Sequence, residues 1–212
     1  MKTALVAGAT GLVGKEIINE LLVHPEYEKV IVLARRGLSV SHPKLDVRLI
    51  DFHRLEELSL PEPVDACFCA LGTTQRKSGR EGMIQVDYTY VVEIANLCQR
   101  HSIPAFLVVS SQGADPQSSF FYLRTKGQME EAVKKTAIKS IYILRPSLIT
   151  GEREEFRLAE EMGYYASKLL SPLFVGKLRK MKPVSGLQIA RRMVSLSQNS
   201  PGGRFTIESD GI

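Results

Sequence analysis

The chain has no tryptophan and only three cysteines, and aromatic residues make up just 7% of its 212 positions. Three thiols, an odd number without framework spacing, exclude a disulfide scaffold and suit reduced side chains. Cys67 and Cys69 stand two apart in "VDACFCAL", on one face of a strand, with no histidine nearby and Cys98 the only other thiol. They read as small buried hydrophobes. His24, His42, His53 and His101 are scattered without ligand-pair spacing, so no metal site is expected. No apolar run reaches the ~18 residues of a membrane span, and no membrane association is expected. The opening "MKTALVAG" lacks a small-residue cleavage site and reads as a strand running into a glycine loop, which makes the cytoplasm the expected location. The excess of charge of one sign is also small. The net charge is +5 and the one basic block is "GKLRKMK" at 176–182, with no aromatic platform beside it. Nucleic acid is therefore not an expected partner. An excess spread over several loops fits an anionic small ligand better.

What is present is alternation. Hydrophobic residues are 44% and charged residues 24%, ordinary for a globular chain and enough for one large domain. Runs at 3–8, 29–35, 47–51, 65–71, 105–111 and 140–146 read as strands. Helical patterns at 14–24, 82–101 and 118–135 lie between them. Continuous Val/Ile/Leu strands separated by helices predict a parallel sheet covered on both faces, a doubly wound α/β fold of Rossmann type. After Pro146 the rhythm weakens to a helix near 154–170, a basic loop, a helix near 187–197 and a strand at 204–209. The expectation is a single domain, 1–212, in which 147–212 form a small substrate-side lobe.

"AGATGLVGKEI" places Gly8, Gly11 and Gly14 between the first strand and the first helix, with Thr10, Leu12 and Val13 supplying the backbone of the turn. Gly8 suits a tight turn, Gly11 lets the backbone approach a pyrophosphate, and Gly14 permits close helix packing. About 20 residues on, where an NAD-binding protein carries a carboxylate for the ribose, stand Arg35 and Arg36. Guanidinium groups fork onto a 2′-phosphate that a carboxylate would repel, which indicates NADP(H); two solvated arginines are the plainer reading. Asp51 and Phe52, after the third strand, are placed to meet an adenine, or Asp51 caps the following helix. Leu71, Gly72 and Thr73 leave the fourth strand at the edge where ligands bind. Arg76, Lys77 and Arg80 follow, for an anion or for solvent.

The fifth strand ends in Ser110-Ser111, and "YLRTK" puts Tyr122 and Lys126 four apart, on one helix face. A phenol near pKa ~10 is a poor base at neutral pH unless adjacent positive charge stabilises its anion. The glycine loop, strand-end serine and Tyr-x-x-x-Lys together resemble the short-chain dehydrogenase/reductase superfamily over nearly the whole chain. "FCALGTTQRKSGREGMIQVDYTYV", "SSQGAD", "FYLRTKGQMEE" and "LRPSLITGEREE" are similar to the atypical members related to the Tat-interacting protein oxidoreductase. The resemblance implies Tyr122 as general acid/base, Lys126 as its partner and holder of the nicotinamide ribose, and Ser111 as the group polarising a substrate carbonyl. It also implies Arg145-Pro146 as a turn along the nicotinamide, although a strand-ending proline is equally ordinary. Two departures stand out. The part after Pro146 is short, and "VDY" (86–88) stands where many members carry a relay asparagine.

The leading expectation is an NADP(H)-dependent oxidoreductase acting on a carbonyl or alcohol of an unknown small molecule. A cofactor-binding regulator with a protein partner is the alternative from another class. A sugar-nucleotide epimerase is disfavoured by the short C-terminal part. The oligomeric state is left open by the sequence.

Overall fold

The computed structural model describes residues 1–150 and 183–212. Its strands are β1 (Lys2–Ala7), β2 (Tyr27–Ala34), β3 (Leu45–Leu49), β4 (Ala66–Cys69), β5 (Ala105–Val109), β6 (Ser140–Arg145), β7 (Ile149–Thr150), β8 (Val184–Ser185) and β9 (Gly203–Glu208). Seven of them form one parallel sheet in the order β3-β2-β1-β4-β5-β6-β9, and β7 pairs with β8 separately. The helices are α1 (Leu12–Val23), α2 (Gln75–Ile84), α3 (Tyr90–Arg100), α4 (Phe121–Lys134) and α5 (Gly186–Ser197). This is the doubly wound α/β fold expected from the alternating pattern.

The two-residue period of the strands divides the core. Ala4 and Val6 of β1 face a layer built with Ile17, Ile18 and Leu21 of α1 and Ile189, Ala190 and Met193 of α5. Leu5 and Ala7 face the opposite layer, with Val91, Ile94 and Ala95 of α3 and Met129 and Val133 of α4. Both faces of β5 are buried throughout, which explains its unbroken apolar run. The "SGLQ" at the start of α5 forms a capping box: Ser185 Oγ accepts from Gln188 N–H at 3.2 Å, and Gln188 Oε1 accepts from Ser185 N–H at 2.9 Å.

Several boundaries differ from the sequence expectation. The helix expected over 82–101 begins earlier, with α2, and runs through a wide π turn (Gln85–Thr89) into α3. Gly79, at φ +68°, bends α2 ahead of the stretch expected to be helical. β3 stops at Leu49, and Asp51 caps a 3-10 turn (Phe52–Glu57) by accepting from His53 N–H at 2.9 Å. Of the segment 147–212, α5 packs on α1 and β9 extends the main sheet beside β6. The helix expected near 154–170 and the basic block at 176–182 lie outside the described residues.

Candidate active site

β1 and β4 are neighbours in the sheet although the chain visits β2 and β3 between them. The helices that follow them pack on opposite faces of the sheet, α1 on one and α3 on the other, and a crevice opens at the carboxyl ends. It is a cleft of about 480 Å³ lined by Gly11, Leu12 and Val13 from the first turn, Leu71, Gly72 and Thr73 after β4, then Asp87, Ser110, Tyr122 and Lys126. Gly8 adopts φ +93°, and a Cβ on it would lie 2.4 Å from Ala70 O, so the two turns are pressed together. Gly14 is equally closed, 2.1 Å from Gly8 O. Gly11 is different: a Cβ there would meet only Gly8 O at 3.4 Å and Ala70 O at 3.9 Å, with the cleft beyond. α1 has no side-chain cap at its start, so its first-turn N–H groups and positive dipole end suit an anion. An open glycine beside uncapped helix amides fits the pyrophosphate of a dinucleotide.

α4 brings Tyr122 and Lys126, one turn apart, to the same cleft. Lys126 is 4% exposed and Asp87 1%. Their ammonium and Oδ1 are 2.7 Å apart, while Asp87 Oδ2 accepts from Thr73 N–H at 2.8 Å. Burial alone would push the Lys126 ammonium down; the Asp87 carboxylate outweighs it, with Tyr122 adding only once its phenol is ionised, and the group is held well above the usual lysine value. Asp87 lies in the π turn, where the backbone bond runs from Tyr90 N–H to Gln85 O and one extra residue is accommodated.

The strand-end serines part company. Ser110 lines the cleft and donates to Glu130 Oε1 at 2.6 Å. Ser111 is buried outside the cleft lining, and its hydroxyl makes a 3.4 Å contact with Gln112 O. Successive side chains leave an extended strand end in opposite directions, which is why adjacent serines do not share a place. Glu130, buried two turns after Tyr122, also receives a fork from Arg145, with Nε to Oε1 at 2.9 Å and Nη2 to Oε2 at 2.7 Å.

The model of a family described as NAD(P)H-binding matches residues 8–164. The chain belongs to this NAD(P)H-binding family. Among its relatives, Protein HTATIP2 from Rattus norvegicus is 34% identical over 163 residues, 75% of this chain and 67% of that protein. Protein FMP52-1, mitochondrial, from Scheffersomyces stipitis is 31% identical over 215 residues, covering 93% and 89%. In fold the chain is similar to a putative epimerase from Burkholderia cenocepacia J2315 (TM-score 0.70, 18% identity, 99% of this chain and 76% of that one). A short chain dehydrogenase family protein from Francisella tularensis aligns at TM-score 0.68 and 15% identity, over 100% and 98%. The fungal relatives are named as mitochondrial, which does not support the cytoplasmic expectation.

The other expected nucleotide-binding positions vary. Arg35 and Arg36 are exposed at the end of β2, with no hydrogen bond or ion pair to another described residue. Thr10 is exposed at the tip of the first turn. Asp51 is exposed but spends Oδ1 on its cap, and the Phe52 ring is buried against Tyr90 at 5.4 Å, so it is not presented to an adenine. Arg145 and Pro146 do not line the cleft: the guanidinium is engaged by Glu130, Ala114 O and Glu208, and Pro146 O accepts from Gln112 N–H. The sequence reading missed Glu130. Its signal was present, because Tyr122, Lys126 and Glu130 recur every four residues on one helix face. Asp87 was visible only as a departure from the expected asparagine.

Proposed function

We propose that the chain is an NADP(H)-dependent oxidoreductase of the short-chain dehydrogenase/reductase type, acting at a carbonyl or alcohol carbon. The observation that carries this reading is the opening of Tyr122 and Lys126 into the same cleft as Gly11, Leu12 and Val13. Gly11 and the first-turn amides of α1 would hold the pyrophosphate, and Arg35 and Arg36 the 2′-phosphate that distinguishes NADP from NAD. A bound nicotinamide supplies or accepts the hydride. In reduction, the Tyr122 O–H bond breaks and its proton goes to the substrate oxygen as the carbon becomes tetrahedral; oxidation reverses the transfer. Lys126 would act on the phenol and on a ribose hydroxyl. Arg76 and Lys77, on the cleft wall, favour an anionic substrate.

A second reading, a regulator that binds NADP(H) with little turnover, is favoured by the charge of Lys126 being matched by Asp87. Both readings are tested by screening carbonyl compounds for NADPH consumption and then repeating the assay with Tyr122→Phe. Turnover should fall by at least ~10²-fold while the dissociation constant for NADPH is preserved. Wild-type turnover in Tyr122→Phe sinks the catalytic role. Tight NADPH binding without turnover of any compound gives the lead to the regulatory reading.

A further inference from the structure

A tyrosine–lysine pair ordinarily works because an uncompensated ammonium lowers the pKa of the phenol. Here the ammonium is compensated. Asp87 touches it at 2.7 Å, and both groups are withdrawn from water, where Coulomb interactions are least screened. The carboxylate is also fixed from behind by Thr73 N–H, which donates to its Oδ2 at 2.8 Å.

Among the described residues lining the cleft, the other groups do not undo this balance. Cys69 of β4 lies near, but burial pushes its thiol up to about 12, so it is uncharged at neutral pH. Ser110 of β5 is neutral and donates to Glu130, whose carboxylate is engaged by Arg145. Arg76 and Lys77 of α2 reach the cleft wall from exposed positions, where water screens them.

We propose that Asp87 is the charge-setting residue of the site: acting through Lys126, it keeps Tyr122 a neutral phenol, and so poises the site to donate a proton in carbonyl reduction. This rests on the catalytic reading of Tyr122. An asparagine at this position would leave the ammonium uncompensated and favour the phenolate, the form needed to take a proton from an alcohol. Asp87 is thus a positioning residue whose effect is electrostatic.

The test is a pH titration of tyrosinate absorbance in the whole chain, with Tyr122 isolated as the difference between wild type and Tyr122→Phe. The wild-type midpoint should stand at or above the ordinary phenol value of ~10. Asp87→Asn, which keeps the shape and an acceptor for Thr73 N–H, should lower it by about 1–2 pH units. A wild-type midpoint below ~9 overturns the proposal, and that result needs no folded variant. An unmoved midpoint in folded Asp87→Asn overturns it too. Failure of the catalytic reading is distinguishable, because it shows as undiminished turnover in Tyr122→Phe and leaves the titration untouched.

Discussion

Gly127 follows Lys126 where α4 lies against the loop at 115–116. A Cβ there would lie 2.2 Å from both Asp115 C and Pro116 N, and 2.7 Å from Asp115 Cα. All three are backbone atoms, so no side chain can rotate out of the way. The loop is also tied to its neighbours, since Asp115 N–H donates to Leu123 O at 3.2 Å and Ala114 O accepts from Arg145 Nη2 at 3.0 Å. In an open helix interior, Gly→Ala stabilises by about 1 kcal/mol. Here helix and loop must part by about 0.8 Å merely to widen 2.2 Å to 3.0 Å. Overpacking costs roughly 1–3 kcal/mol, and three backbone contacts below 3.0 Å place this site in the upper part, ~2–3 kcal/mol, so the net loss after the propensity gain is ~1–2 kcal/mol. Gly127→Ala should therefore lower the urea midpoint at unchanged m-value. Gly37→Ala, with nothing within 4 Å of the new methyl, is the control and should leave it nearly unchanged. Because Tyr122 and Lys126 ride on the displaced helix, turnover should fall by up to ~10²-fold as well. A folded Gly127→Ala protein as stable as wild type, or more so, would refute the argument.

Two further outcomes are expected. Arg35→Ala/Arg36→Ala should weaken NADPH by about 10- to 100-fold and leave NADH nearly untouched, measured by titration; equal affinity for both cofactors in the wild type would remove the basis for NADP preference. The Glu62 carboxyl is held at about 2, below its usual 4.5, by the hydrogen bond from Lys29 at 2.7 Å, with burial opposing and Arg48 adding. A depressed folded pKa means its contribution is present above ~4.5 and is lost as pH falls toward ~2. Glu62→Gln should then cost roughly 1 kcal/mol at pH 7, and less as the solution is acidified to pH 2–3, read from denaturation midpoints.

The elements and their order were legible because each is encoded locally. Unbroken apolar runs such as "AFLVV" can be buried only in a sheet covered on both faces, and that implies parallel strands joined by helices. The turn from Gly8 to Gly14 was legible because its steric demands fall within one short stretch. Tyr122 and Lys126 were legible as a pair because the helix period alone puts them on one face.

Tertiary structure decided what meets across the chain. Nothing near Asp87 in sequence says that it ends beside Lys126; the π turn and the packing of α4 against it bring the two together. Arg145, read as a cofactor contact, is drawn instead to Glu130 and Glu208 because the pairing of β6 with β9 puts Glu208 opposite it. Ser110 faces the cleft and Ser111 does not, a choice set by how β5 ends within the sheet and not by residue type. Helical and strand periods are properties of neighbours in sequence. Charge compensation and burial depend on distances that exist only once separate elements have docked.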